Sequence, residues 1–88
     1  MKLVMIEWVD SVQADGWQLL EPIEGHEDKA ARCRSVGWLV RDGAEVKVLA
    51  PHMMDETDHV SPQVCGVMDI PVVTILAIMD LVEKEATP

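Results

Sequence analysis

The residues best suited to bind a ligand are cations that cluster in the middle of an acidic chain. The protein has 7 lysines and arginines against 16 aspartates and glutamates, so its net charge is −9 at pH 7. Residues 32–47 hold four of these cations and two carboxylates, a local charge of +2 that leaves −11 for the remaining residues. Because guanidinium groups bind phosphate and carboxylate through paired hydrogen bonds, this segment indicates a local site for a small anion.

An aromatic side chain accompanies these cations. Trp38 lies on the same face of a predicted strand as Arg32 and Arg34. An aromatic ring beside two arginines can stack a base and pair a phosphate. We therefore predict a ligand site composed of Arg32, Arg34, Trp38, Lys47 and His52. The alternative is that the arginines pair with the acidic residues at 21–28, because most charges on a strand are solvated or paired at the surface.

A second candidate binding surface is acidic. Residues 51–63 form a predicted exposed loop that contains Asp55, Glu56 and Asp58. Such a loop could face a basic protein, with fast association steered by charge. The same net charge argues against direct binding of nucleic acid, whose phosphates it would repel.

Other chemistry-bearing residues match no established motif. His52, His59 and Cys65 are zinc-ligand types, but their spacing fits no finger or paired-cysteine pattern, so we expect no metal and no cofactor. We expect Cys33 and Cys65, which lie in strand patterns, to be buried free thiols and not nucleophiles. A disulfide between them is left open by the sequence. The sequence contains no catalytic motif, and we expect a protein that is not an enzyme.

The elements that position these residues are strands. Residues 2–10 alternate with apolar side chains on both faces, which predicts a strand that is central in a barrel or covered by another subunit. Two further strands, 32–41 and 44–50, flank an Asp42-Gly43 pair typical of a type I′ hairpin. Gly37 in mid-strand indicates a bend, a bulge or a close backbone approach.

The remaining segments complete a small β fold. The long first connection, 11–31, carries apolar residues that we expect to anchor it to the core: Trp17, Leu19, Leu20 and Ile23. A fourth strand at 64–70 ends before Pro71, which lacks an N–H. For 72–84 we predict a single 3-10 turn and a fifth strand, because the segment begins with β-branched residues. A short C-terminal helix is the alternative, since its apolar spacing is also helical.

Length limits how much surface one subunit can bury. The 88 residues form a single domain, 1–88, and a chain of this size buries roughly 60% of its unfolded surface. We therefore expect a homo-oligomer that supplies further burial. The N-terminus has no signal-peptide pattern, and the apolar run PVVTILAIM is shorter than the roughly 20 residues of a membrane span. We expect a cytoplasmic protein without membrane contacts.

The order of the motifs MIEWVDS, SVGWLV, VKVLAPH and GVMDIP, over residues 3–82, resembles small uncharacterised proteins of tailed bacteriophages and prophages. The closing MDIP is also similar to the end of Sm-like barrels. This resemblance implies a mainly β, five-stranded Sm-like barrel and an accessory role against the host, in the host cytoplasm. The chain departs from nucleic-acid-binding Sm proteins in its acidic charge.

Three functions are compatible with these patterns. The first is a non-enzymatic binding protein, acting as an oligomer that sequesters a small anionic or nucleotide immune signal of the host. The second is an acidic inhibitor or decoy of a basic host protein. The third is a structural or assembly accessory protein.

Overall fold

The protein is mainly β and carries a five-stranded antiparallel sheet, which confirms the predicted class. The computed structural model describes residues 1–27 and 29–87. The elements are β1 (Leu3–Asp10), α1 (Leu20–Glu24), β2 (Ala31–Asp42), β3 (Val46–Ala50), β4 (His52–Met54), β5 (Gln63–Cys65), β6 (Met68–Pro71), a 3-10 turn (Val72–Thr74) and β7 (Ile75–Asp80).

The five-stranded sheet has the order β6-β3-β2-β1-β7, and every neighbouring pair is antiparallel. In the described part of the chain the outer strands β6 and β7 do not pair with each other, so the sheet has two open edges. β4 and β5 form a separate two-stranded ribbon.

The core lies on one face of this sheet. Val4 and Ile6 in β1 are 1% and 0% exposed, and they pack with Leu49 of β3 and Ile70 of β6. The alternation of β1 explains this arrangement, since residues two apart point to the same side. Among residues 1–27 and 29–87, five hydrophobic residues are fully buried, the fifth being Ala50, so the core is small.

Gly37 allows two backbones to approach closely, as its position in mid-strand predicts. A Cβ atom at this residue would lie 2.8 Å from the carbonyl oxygen of Ala50, closer than real Cβ contacts. The β2–β3 pairing also shifts register between Leu39 and Arg41. A register shift of this kind bends and twists a strand pair, and the close approach at Gly37 lies beside it.

The predicted type I′ turn is wrong. Such a turn needs a positive φ at both central residues, but within residues 1–27 and 29–87 only Gly16 and Gly66 have positive φ. The chain instead turns through Gly43, whose N–H donates to the carbonyl of Val46 at 3.1 Å. Glycine fits here because a Cβ would lie 2.6 Å from that same oxygen.

Residues 51–70, predicted as an exposed loop followed by a fourth strand, differ from that prediction in two ways. His52–Met54 pairs with Gln63–Cys65, so the exposed loop is shorter than residues 51–63. Gly66, at φ 75°, separates β5 from β6 within the predicted fourth strand. The left-handed residue redirects the chain from the ribbon back to the sheet.

The predicted end of the chain is confirmed. Val72–Thr74 forms a 3-10 turn and Ile75–Asp80 forms β7, so the helical alternative fails. Thr74 Oγ1 donates to the Pro71 carbonyl at 2.7 Å, which closes the turn.

The long first connection does not anchor to the core, contrary to the sequence prediction. Trp17, Leu19 and Leu20 are 104%, 80% and 71% exposed, Ile23 is 38% exposed, and α1 contains no buried residue. Because its ends meet at the Asp10–Ala31 pair, the connection leaves the sheet and returns to one point. No helix within residues 1–27 and 29–87 has the length and apolar character required to cross a bilayer.

Candidate functional site

A cavity of about 400 Å³ lies where β1, β2 and β7 meet, and it contains the cations singled out by the sequence. Its lining residues are Glu7, Trp8, Arg32, Cys33, Arg34 and Leu76. This volume is within the range that small-molecule sites in proteins occupy.

The register of β1 and β2 places the arginines beside a carboxylate. Arg34 is the direct partner of Glu7, and Arg32 is the partner of Val9, so these four residues share one face of the sheet. Arg34 Nε lies 3.3 Å from Glu7 Oε1, and the Arg34 side chain is 73% exposed. Because a guanidinium has five N–H donors, this single contact leaves donors of Arg34 free for an anion.

Trp8 borders the cavity from the core-facing side of the sheet, because its partner in β2 is Cys33 and not one of the arginines. Its indole Nε1 donates to Ser35 Oγ at 3.0 Å, and the ring packs against the core. The β1–β7 pairing shifts register between Glu7 and Trp8 at this position. The shift makes Leu76 the extra residue of β7, and Leu76 is the residue of that strand that lines the cavity.

The two thiols differ in their surroundings. Cys33 is half-buried in the cavity lining, whereas Cys65 is exposed, so the prediction of two buried thiols is wrong for Cys65. Both are free, which excludes the disulfide that the sequence left open.

Trp38 lies on the predicted face but outside this cavity. Its partner in β1 is Leu3, on the same face as the Glu7–Arg34 pair. Trp38 lies four positions along the strand from Arg34, a distance of about 13 Å. Trp38 instead lines a different hollow together with Leu3 and Leu81.

Lys47 and His52 are likewise separate from the arginines. Lys47 pairs with Ile70, on the core-facing side of β3, and its Nζ contacts the Asp42 carboxylate and the Gly43 carbonyl, the latter at 2.9 Å. The hydrogen bond from Lys47, followed by its charge, lowers the pKa of the exposed Asp42 carboxyl. His52 belongs to β4 and lines a hollow of about 230 Å³ in the β4–β5 ribbon. The five predicted ligand residues are thus distributed over four places.

The acidic residues Asp55, Glu56 and Asp58 are all exposed in the loop that joins β4 to β5. A turn holds this loop, since the Thr57 N–H donates to the Val60 carbonyl at 2.9 Å. Among residues 1–27 and 29–87, no three histidine, cysteine or acidic side chains are grouped to hold a metal ion.

The alternative partner predicted for the arginines is not the one found for Arg34. Its carboxylate partner is Glu7 of β1, and the ion pairs among the described residues include none to 21–27. Asp28, the last acidic residue of that stretch, lies outside the described residues.

Sequence reasoning missed Glu7, Trp8 and Leu76 as cavity residues. Glu7 carried a signal, because it is the one charge that interrupts an otherwise apolar alternation in residues 3–9. Trp8 and Leu76 carried none, since their position at the edge of the cavity depends on the β1–β7 register and its shift.

Comparison with known proteins found no matching family model, no matching curated protein and no matching solved structure.

Proposed function

We propose that the protein is a non-enzymatic binding protein that sequesters a small anionic ligand, of the nucleotide class, in the cavity between β1, β2 and β7. The observation that carries this proposal is the placement of Arg32 and Arg34 together in a cavity of about 400 Å³. Charge-assisted hydrogen bonds from guanidinium groups suit the phosphate of such a ligand.

The anion site is local within an acidic molecule. The net charge of −9 repels anions at a distance, so an anionic ligand would be held by contacts at the cavity itself. Glu7 has a defined part in this arrangement. Its carboxylate occupies one donor of Arg34 and orients the guanidinium, and it also competes with an incoming anion for that donor.

The finer description of the fold belongs to the same proposal. The order β6-β3-β2-β1-β7, with a 3-10 turn between β6 and β7, supports an Sm-like arrangement of the five strands. The resemblance to phage accessory proteins supports a role against the host, and within that role we propose a nucleotide signal as the ligand.

The test is a titration of the protein with a panel of cyclic dinucleotides, nucleoside monophosphates and pyrophosphate, followed by calorimetry. We expect at least one probe to bind, and Arg34→Ala to weaken it at least tenfold, because a hydrogen bond to a charged group contributes about 1.5–3 kcal/mol. Glu7→Gln should tighten binding, because it removes the competing charge while preserving shape.

Arg41→Ala provides the matched control. Arg41 is an exposed arginine of the same strand that lines a different hollow, so its loss should change the affinity less than twofold. Equal affinity in the wild type and in Arg34→Ala would place the ligand elsewhere. If no probe binds and mass spectrometry finds nothing released from the denatured wild-type protein, the sequestration proposal fails.

A decoy of a basic protein is the second candidate, and a specific surface favours it. Asp55, Glu56 and Asp58 are all exposed in one short loop at the end of the ribbon. A partner captured by this loop should be lost on neutralising the three carboxylates and unaffected by Arg34→Ala. These two sets of variants therefore separate the candidates.

A further inference from the structure

One face of the β4–β5 ribbon carries three side chains whose donor atoms suit a soft metal ion. His52 is the direct cross-strand partner of Cys65, and Met54 is the partner of Gln63. Side chains two apart on a strand share a face, and so do direct partners, so the imidazole, the thiol and the thioether all lie on this outward face.

Packing accounts for the other face of the ribbon. Met53 and Val64 lie there, and they line a hollow together with Met1 and Val40. All four residues of the outward face are exposed. Because methionine and cysteine are among the residue types most often buried, burial of apolar surface does not explain their presence on the outward face.

The strand register brings the three donors within reach of one ion. Residues directly opposite in an antiparallel pair have Cβ atoms about 4.5–5.5 Å apart, and metal bonds to nitrogen and sulfur are about 2.0–2.3 Å long, so His52 and Cys65 can share one ion. Met54 lies diagonally across from Cys65, at about 7–8 Å. Its long, unbranched side chain is flexible enough to span that separation.

The His52 ring lies beside the end of β5 that carries the thiol. Its Cδ2 atom is 3.7 Å from the point that a Cβ atom of Gly66 would occupy, and Gly66 directly follows Cys65. His52, Met54 and Cys65 also border the same hollow of about 230 Å³. The register and the position of the ring thus agree on one place for the donors.

The charge around the ribbon favours a cation. Residues 48–83 contain no lysine or arginine. The loop that joins the two strands carries the exposed carboxylates of Asp55, Glu56 and Asp58. Together with the net charge of −9, this local field raises the concentration of cations at the ribbon.

We propose that His52, Met54 and Cys65 bind one cuprous ion, Cu(I), on the outward face of the ribbon. Thiolate and thioether sulfurs are soft ligands that select Cu(I), and imidazole also suits copper. The Cys65 thiol releases its proton to solvent as the sulfur–copper bond forms. The site shares no residue with the cavity that holds Arg32 and Arg34, so it does not depend on anion binding there.

The same donor set argues against zinc. Structural zinc almost always takes four ligands from cysteine, histidine and carboxylates, and a thioether is not among them. In the described part of the chain, His52, His59 and Cys65 do not form such a group. The absence of a zinc pattern in the sequence is therefore compatible with a copper site that uses methionine.

A competition titration with bicinchoninate, a coloured chelator of Cu(I), measures the affinity under anaerobic, reducing conditions. We expect the wild type to remove one equivalent of Cu(I) from the chelator. Cys65→Ser should weaken binding at least about a hundredfold, because the loss of even an outer partner of a ligand typically costs about 10–100-fold. His52→Gln and Met54→Leu, which preserve approximate size, should each weaken it at least about tenfold.

Cys33→Ser and His59→Gln are the matched controls. Each removes the same donor type from a position off the outward face, since Cys33 lies in β2 and His59 lies in the loop between β4 and β5. Both should change the affinity less than twofold. A wild type that takes no Cu(I) from the chelator, or a Cys33→Ser loss as large as that of Cys65→Ser, would overturn the proposal.

Hydrogen exchange tests whether the ion joins the two strands. A ribbon of two three-residue strands is marginal in water, and an ion that binds only the paired form stabilises it. We expect one equivalent of Cu(I) to slow amide exchange in β4 and β5 at least about tenfold and to leave β1 unchanged. Unchanged exchange in the ribbon with copper bound would refute the proposed set of ligands.

Discussion

Gly37 is a residue at which one added carbon atom should lower the stability of the fold. A Cβ there would meet the backbone of Ala50 at 2.8 and 3.0 Å, and a backbone carbonyl cannot rotate away as a side chain can. We expect Gly37→Ala to lower the free energy of unfolding by about 1–3 kcal/mol, the usual effect of overpacking. Urea denaturation measures this change.

Gly25 supplies the control for that substitution. An added Cβ at Gly25 meets nothing within 4 Å, and the residue has an ordinary φ of −100°. Gly25→Ala should therefore change stability by less than about 0.5 kcal/mol. Equal effects of the two substitutions would show that the close approach at Gly37 does not limit the fold.

The candidate site could be predicted from the sequence only where strand alternation determines it. Alternation correctly placed Arg32, Arg34 and Trp38 on one face, because side chains two apart on a strand share a side. It could not show that Leu76 lines the cavity beside them. That placement depends on how β1 is registered with β7, and register is set by pairing between distant segments.

At the scale of elements, the β4–β5 ribbon is the least supported part of the sheet structure. Each strand has three residues, and five of these six residues are exposed, the exception being Met53. A two-stranded ribbon with so little burial is marginal in water. We expect its backbone amides to exchange with solvent at least about a hundredfold faster than those of β1, where Val4 and Ile6 are buried.

Hydrogen exchange followed by mass spectrometry or NMR provides the measurement, and β6 is its internal control. β6 directly follows the ribbon in sequence, but it pairs with β3 and contains the buried Ile70. Its amides should resemble those of β1. Equal protection across β4, β5 and β1 would mean that the ribbon is held by contacts absent from the single chain.

Several strands of the fold were predictable because strong local signals mark them, although the predicted strand 64–70 is divided at Gly66. The apolar alternation of 2–10, the stop at Pro71 and the β-branched residues that follow it each determine an element without reference to distant residues. The ribbon was not predictable, since each of its strands has three residues and they pair across the intervening loop. The exposed position of Trp17 was not predictable either, because a large apolar side chain indicates burial but not the surface that provides it.

At the scale of the whole molecule, the extended shape and the net negative charge determine how binding should depend on salt. The chain extends 62 Å in one direction and about 30 Å in the others, and its radius of gyration is 18.2 Å against about 12 Å for a compact chain of this length. The cationic cavity is one small region of this extended acidic body. The protein has two candidate partners, a small anion at this cavity and a basic protein at the acidic loop. Their association rates should therefore respond differently to salt.

Raising sodium chloride from about 10 mM to about 150 mM shortens the screening length from roughly 30 Å to roughly 8 Å. At the lower concentration the charge of −9 acts across most of the molecule, and at the higher one only nearby charges act. The association rate of an anionic probe with the cavity should therefore rise or stay constant, because distant repulsion is screened while contact with Arg32 and Arg34 persists. The association rate of a basic protein at Asp55, Glu56 and Asp58 should fall by about tenfold or more. Stopped-flow fluorescence measures both rates, and an anion whose association slows steeply with salt would be responding to a larger cationic field than this cavity provides.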